Sequence, residues 1–259
     1  MQESSVSDQP RGKYAGMLQI IRFNWRVYVA ALLICGAVLA TLALLPMPNR
    51  VRWLSWGFVA CTGYWMVASL LAAHWIYDRS EVYHWTWIKE TLPFVPRRWA
   101  NVHVGLDESS AALKQMFPTS EGVILDVFTP AEMPSRSISE ARRLAAKGIR
   151  TEEADFRALP FSEAELDTVF LLFSAHEIRK RESRHVFFRE LQRVLKPGGC
   201  VLLVEHLRDF NNFLAFGPGY FHFHSRSAWH EAAGSAQFRV EKEFSLTPFV
   251  RIFLLRKST

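Results

Sequence analysis

Four short apolar runs after residue 99 of this chain each end in side chains able to bind a ligand or move a proton. Gly105-Leu106-Asp107-Glu108 follows the first, Asp126 ends the second, Ser174-Ala175-His176-Glu177 follows a third, and Glu205-His206 ends a fourth. If the runs are parallel strands, these residues gather at one edge of a sheet, beyond the strand ends, where open α/β sheets hold their ligands. Asp126 stands 21 residues after Gly105, close to the spacing at which a carboxylate accepts the hydroxyls of a ribose. The other reading of such an acid is a helix-start or loop residue. A G-x-G-x-x-G turn is absent, and Asp107 and Glu108 would repel a pyrophosphate, which argues against a dinucleotide.

Proton chemistry is offered by His176 and by the Phe-rich stretch 205–224, which carries His222 and His224 beside Arg208, Asp209 and Tyr220. An imidazole titrates near neutral pH and can take a proton from an oxygen or nitrogen acceptor, so these three histidines are the candidate bases. Satisfied structural histidines are the alternative for each. His222 and His224, two apart, could share one side of a strand as a metal pair, but they lack a cysteine partner and a third ligand, so no metal is expected. An apolar slot with a few polar contacts suits a lipid, an isoprenoid quinone or a phenol.

The rest of the chain must position these groups. It has 259 residues, 49% of them hydrophobic and 22% charged, with a mean hydropathy of +0.02. The apolar excess lies at the front: residues 27–45 and 53–73 contain no charge, and each run is long enough to cross a bilayer as a helix. Residues 1–75 are therefore expected to be a membrane anchor with spans at 27–45 and 53–75, joined by a turn at Pro46 to Arg52. Arg11, Lys13, Arg22 and Arg26 ahead of the first span put both termini and the following domain on the cytoplasmic side. A net charge of +6 arises partly from these flanks and not from a basic block with interleaved aromatics, so nucleic acid is not an expected partner. Cys35, Cys61 and Cys200 do not suggest a disulfide framework. A homo-oligomer is compatible with the sequence.

Residues 76–99 mix aromatics with charge and read as an interfacial helix and linker. From 100 to 259, strands are expected at 100–106, 122–128, 150–154, 166–173 and 200–205, with helices at 109–117, 137–148 and 182–195. The tail forms an antiparallel pair at 237–244 and 248–256, broken by Thr247-Pro248. Alternation of strand and helix makes this an α/β domain: a mostly parallel, seven-stranded, Rossmann-like sheet closed by an antiparallel pair and preceded by two transmembrane helices.

Three pieces in order resemble one family. Asp155 to Phe161 (DFRALPF), Leu166 to Ile178 (LDTVFLLFSAHEI), and Arg189 to Gly199 (RELQRVLKPGG) running into Val201 to His206 are similar to the class I S-adenosylmethionine-dependent methyltransferases, especially the quinone and small-molecule branch. The resemblance covers about residues 100–256. It implies S-adenosylmethionine as cofactor, held by Asp126 at the ribose, Asp155 at the adenine amine, Phe156 near the ring, and a wall from Phe173 through Ser174 to His176 between cofactor and acceptor. Gly105 alone remains of the family's glycine-rich turn. Either Asp107 or Glu108 there takes the cofactor's ammonium or a substrate amine, or cofactor binding has been lost. The implied activity is methyl transfer to a hydrophobic acceptor in the membrane. The alternative is a non-catalytic membrane protein that uses the same fold to bind a partner or small molecule.

Overall fold

A computed structural model describes residues 12–258 apart from 106, 135 and 145–150. It opens with a helical hairpin, α1 (Ala15–Leu44) and α2 (Asn49–His74). Pro46 and Pro48 make the turn, since proline cannot continue α1 but readily precedes a new helix. Both helices are long and apolar enough to cross a membrane. At the base of the hairpin, the Asp78 carboxylate accepts the amide N–H groups of Gly16 (2.6 Å) and Met17 (3.1 Å) and meets His74 Nδ1 at 3.0 Å. A negative group at the otherwise uncapped amino end of α1 satisfies its orphan donors. Arg11 and residues 145–150, the latter including the end of the expected 137–148 helix and the first residue of the expected 150–154 strand, lie outside the described residues.

After a π-turn at Trp75–Arg79, a 3₁₀ turn at Glu81–His84 and the short α3 (Trp87–Thr91), the chain enters the sheet. The expected interfacial helix over 76–99 is corrected here. Ile76, Val82 and Ile88 are fully buried, with Trp85 and Trp87 close behind, and Trp87 Nε1 donates to Val82 O at 3.1 Å. The aromatics of this segment face the sheet, not a bilayer, because they fill the layer that a longer helix would otherwise supply.

The sheet comprises β1 (Arg98–His103), β2 (Glu121–Asp126), β3 (Glu152–Glu153), β4 (Leu166–Leu172), β5 (Leu195–His206), β6 (Phe238–Thr247) and β7 (Val250–Lys257). Its order is β3-β2-β1-β4-β5-β7-β6, parallel through β5 and antiparallel at β7 and β6. This is the expected architecture. Val201–Val204 on β5 and Val169–Leu171 on β4 are completely buried, as continuous apolar runs in a two-sided sheet must be. One face carries α5 (Arg136–Leu144), α6 (Arg181–Val194) and α8 (Arg226–Ser235), with Phe187, Phe188 and Trp229 in its core. The other carries α4 (Ser110–Met116), the 75–92 segment and α7 (Phe210–Phe216). Strand order reverses between β1 and β4, so a crevice opens at their carboxyl ends.

Across that crevice lies the hairpin. Trp65 of α2 donates its indole N–H to Phe213 O on α7 (3.1 Å) and packs edge-on against the Phe213 ring. Its ring also covers Gly217, where φ is +54° and a Cβ would come within 2.7 Å of the indole. Glycine is required there by both the backbone and the neighbour.

Candidate active site

The β1 turn is closed by its own acid. Asp107 Oδ1 accepts Ser109 N (3.1 Å), Ser110 N (2.9 Å) and Asn101 Nδ2 (3.3 Å), which caps the first turn of α4. Asp107 thus satisfies donors that a glycine would leave open, and its buried Oδ2 has no hydrogen-bond partner among the described residues. Glu108 lies nearer the hairpin and accepts from Gln19 Nε2 (2.9 Å) and Tyr83 OH (3.2 Å).

Asp126 ends β2 as expected, and its two oxygens are engaged: Oδ1 accepts Phe128 N at 3.0 Å, and Oδ2 lies 2.5 Å from Arg142 Nη1. The same guanidinium donates to Val104 O (3.1 Å) and lies over the Phe128 ring. Gly105 has φ of +116°, and a Cβ built on it would first meet the Arg142 side chain, at 2.2 Å. Asp155 is adjacent, since Ala154 N donates to Asp126 O at 3.0 Å, but its half-exposed carboxylate is turned to Arg157 N at 2.9 Å. Phe156 corrects an expectation. Its ring is fully buried in the core, edge-on to Phe187, and is not presented to a ligand. Ser174 donates to Val102 O at 2.7 Å and ties the end of β4 to β1.

Beyond the carboxyl ends of β4 and β5 the structure brings together residues from three segments. His176 stands between two carboxylates: Nδ1 is 2.7 Å from Glu205 Oε2, and Nε2 is 3.4 Å from Glu177 Oε1. Glu205 is fully buried and also accepts His176 N at 3.0 Å. Burial opposes charge on His176, but the attraction of Glu205 and then Glu177 outweighs it and holds the imidazole up to about 10. His176 is therefore an imidazolium at neutral pH and not the free base expected. Glu177 Oε1 also meets His222 Nε2 at 2.9 Å. Burial disfavours its charge, yet hydrogen bonds from both histidines keep the carboxyl well below the usual range. Arg179 fastens the cluster by donating to the carbonyls of His176 (3.3 Å) and His222.

His222 and His224 do not share a face. His222 ends a 3₁₀ turn, Gly217–His222, so the two-residue period of a strand does not apply. His224 turns inward to His176 O (3.1 Å) and Arg184 Nη1 (3.3 Å), and burial, then repulsion from Arg184 and Arg179, drives it down to about 3. It is a structural histidine. His206 takes the position beside the crevice: Nδ1 donates to Phe249 O (2.9 Å), which leaves Nε2 to accept Tyr77 OH at 3.0 Å. Burial, reinforced by repulsion from His176 and His222, pushes it down to about 4.

His176, Glu177, His206 and His222 line a cavity of about 780 Å³. Its inner end holds His103, Phe173, His176, Glu177, His206 and His222; its outer wall is the facing surfaces of α1 and α2, including Ile20, Phe23, Val27, Ala31, Phe58 and Met66. Asp126, with its partner Arg142, and Asp155 lie outside the lining. The sequence places Glu177 and Glu205 at the ligand edge without a specific role, reads Tyr77 as an aromatic near the membrane interface, and does not single out Arg142. The paired His-Glu and Glu-His at the ends of β4 and β5 were a usable signal for the first two, whereas nothing local marks Arg142 or Tyr77.

Residues 103–203 match the family model described as a methyltransferase domain. The chain is 33% identical over 110 residues to a demethylmenaquinone methyltransferase of Thermus thermophilus, covering 42% of this chain and 47% of that protein. It is 31% identical over 102 residues to a ubiquinone/menaquinone biosynthesis C-methyltransferase of Ectopseudomonas mendocina, covering 38% and 37%. The chain spans less than half the length of these curated relatives. Among solved structures, human N-acetylserotonin methyltransferase in complex with SAM superposes with a TM-score of 0.56 at 15% identity over 95% of this chain and 72% of that one. The pyocyanin biosynthetic protein PhzM gives 0.55 at 16% identity over 93% and 73%. Both superpositions extend beyond the sheet into the helices ahead of β1. Residues 103–203 thus carry a methyltransferase domain, and the sheet from β1 to β7 has the fold of the S-adenosylmethionine-dependent methyltransferases.

Proposed function

We propose that this protein transfers a methyl group from S-adenosylmethionine to a hydroxylated, quinone-type ring bearing an apolar tail, and that the α1–α2 hairpin holds the site at a bilayer. The observation that carries the reading is the single cavity whose polar end lies at the sheet edge and whose apolar end lies between the two long helices. The curated relatives named for quinone substrates support the choice of ring. The apolar length of the helices, with Lys13, Arg22 and Arg26 near the start of α1, supports an anchor with the domain on the cytoplasmic side.

The residues present fit the cofactor. Asp126 and Asp155 supply neighbouring carboxylates for ribose and adenine, and the atoms nearest to the positive-φ Gly105 belong to the Arg142 side chain, which must leave Asp126 for the ribose to bind. When bound, the cofactor supplies an electrophilic methyl group on a sulfonium. The protein's share is alignment and charge. The cavity fixes the ring against Phe173 and His206, and the His176 imidazolium stabilises negative charge on a ring oxygen, which makes the ring more nucleophilic. His222, 36% exposed and bonded to Glu177, offers an exit for the released proton.

Acceptors with and without an apolar tail test this reading. The tailed ring is expected to have the higher kcat/KM, and Ala31→Trp, which fills the outer cavity, should lower it about tenfold for the tailed ring only. Equal rates for both acceptors, or release of the protein from membranes by carbonate, would overturn it. One observation favours the non-catalytic alternative: Arg142 covers the place where the ribose would meet Asp126. Calorimetric binding of S-adenosylmethionine separates the two.

A further inference from the structure

We propose that His176, Glu177 and His222 form a binding site for a divalent cation of the zinc class, with Glu205 as the positioning residue behind His176. The nitrogen and oxygen donors of these three residues lie within 4.8 Å of one another. Two ligand atoms at about 2.0–2.2 Å from one such ion, at angles of about 90–109°, are separated by about 2.9–3.5 Å. Glu177 Oε1 stands 2.9 Å from His222 Nε2 and 3.4 Å from His176 Nε2, so both pairs already have that spacing. The His176 and His222 donor atoms lie within 4.8 Å of each other, and the His222 ring, 36% exposed, is the less confined of the two.

Three further features point to a ligand. Glu205, with no exposure, holds His176 Nδ1 at 2.7 Å; a carboxylate there fixes the tautomer that leaves Nε2 for a metal, as the outer partners of metal-bound histidines do. Glu177 is 3% exposed, yet its Oε2 is buried with no hydrogen-bond partner among the described residues, so it has an oxygen to give. Arg179 secures the backbone carbonyls of His176 and His222, and with them the two segments that carry the nitrogen ligands. Two imidazoles and one carboxylate with the remaining positions open to a cavity form a catalytic type of set, which suits zinc, iron(II) or cobalt(II) and not magnesium or calcium, which prefer oxygen.

The cation takes the place of the Nε2 proton of His176, so that when bound it, and not the imidazolium, would hold a ring oxygen in the space assigned above to the acceptor and favour its ionised form, a role that rests on the proposed function. Binding of the cation does not depend on that reading. Full-length protein without a histidine tag, stripped with chelator and kept free of cofactor and acceptor, is titrated with Co²⁺ and then Zn²⁺. Stoichiometric Co²⁺ with d–d absorption, displaced by Zn²⁺, is expected. Glu177→Gln and His222→Ala should abolish the absorption, Glu205→Gln should weaken affinity about 10- to 100-fold, and His230→Ala, remote from the cluster, should change nothing. Circular dichroism checks that each variant folds, and the exposure of His222 makes its variant the most tolerant. Absence of Co²⁺ binding by the intact protein, or equal binding by His222→Ala, would show that the cluster is held by hydrogen bonds alone. Metal binding without methyl transfer would instead count against the proposed function.

Discussion

Arg142 and Asp126 are joined by an ion pair of 2.5 Å, and because the same guanidinium reaches Val104 O at 3.1 Å, it bridges the carboxyl ends of β2 and β1. That bridge covers the carboxylate on which a ribose would sit. Arg142 belongs to α5, which packs against α1.

Cofactor affinity should report this competition in both directions. Arg142→Ala frees Asp126 and is expected to lower the Kd for S-adenosylmethionine about tenfold, or about 1.4 kcal/mol. Asp126→Ala removes a charge-assisted hydrogen-bond acceptor and should weaken binding by about 1.5–3 kcal/mol. Calorimetric titration of both variants measures the two effects; opposite signs are the expected outcome, and equal weakening would mean that Arg142 holds the ligand itself.

The hairpin contact should be sensitive to a single methyl group. Gly217→Ala places a Cβ 2.7 Å from the Trp65 indole at a backbone φ of +54°. A destabilisation of about 1–3 kcal/mol is expected in denaturant unfolding, together with faster proteolysis between α7 and α8. Unchanged stability and proteolysis would show that α2 does not rest on this turn.

Acid should weaken the fold through His206. Its pKa is lowered from 6.5 to about 4 chiefly by burial, with Tyr77 OH on one ring nitrogen, Phe249 O on the other, and His176 and His222 as the nearby repelling groups. Between these values the unfolded chain binds a proton that the folded protein does not, so stability is full above pH 6.5 and falls toward pH 4. The loss attributable to His206 is roughly 3 kcal/mol. Comparing unfolding at neutral pH and at pH about 5 for the intact protein and His206→Gln checks this, the variant showing the shallower decline.

The sheet was legible because its buried strands carry continuous apolar runs, as at Cys200–Val204 between Gly199 and Glu205 and at Val169–Leu172 after Asp167-Thr168. The two long helices were legible from length and charge alone. The 76–99 segment was not: its tryptophans suit a lipid interface and a protein core equally, and only the uncovered face of the sheet decides between them. Phe156 and His224 were misread for a related reason. A side chain's direction depends on the turn that carries it, and the turns at 155–158 and 217–222 aim the Phe156 ring into the core and separate the two histidine rings. Arg142 reaches Asp126 from 16 residues away across a helix, a contact set by tertiary packing and not by local pattern.

The most direct measurement is methyl transfer itself. Full-length protein in lipid vesicles is incubated with S-adenosylmethionine labelled on its methyl group and an extract of native membrane lipids, and the products are partitioned between water and organic solvent. Label is expected in the organic phase, on a ring-containing lipid, at a rate that falls sharply in Asp126→Ala. Label confined to water-soluble products, or no transfer by a protein that is folded and membrane-bound, would contradict the assignment of this cavity to a hydrophobic methyl acceptor.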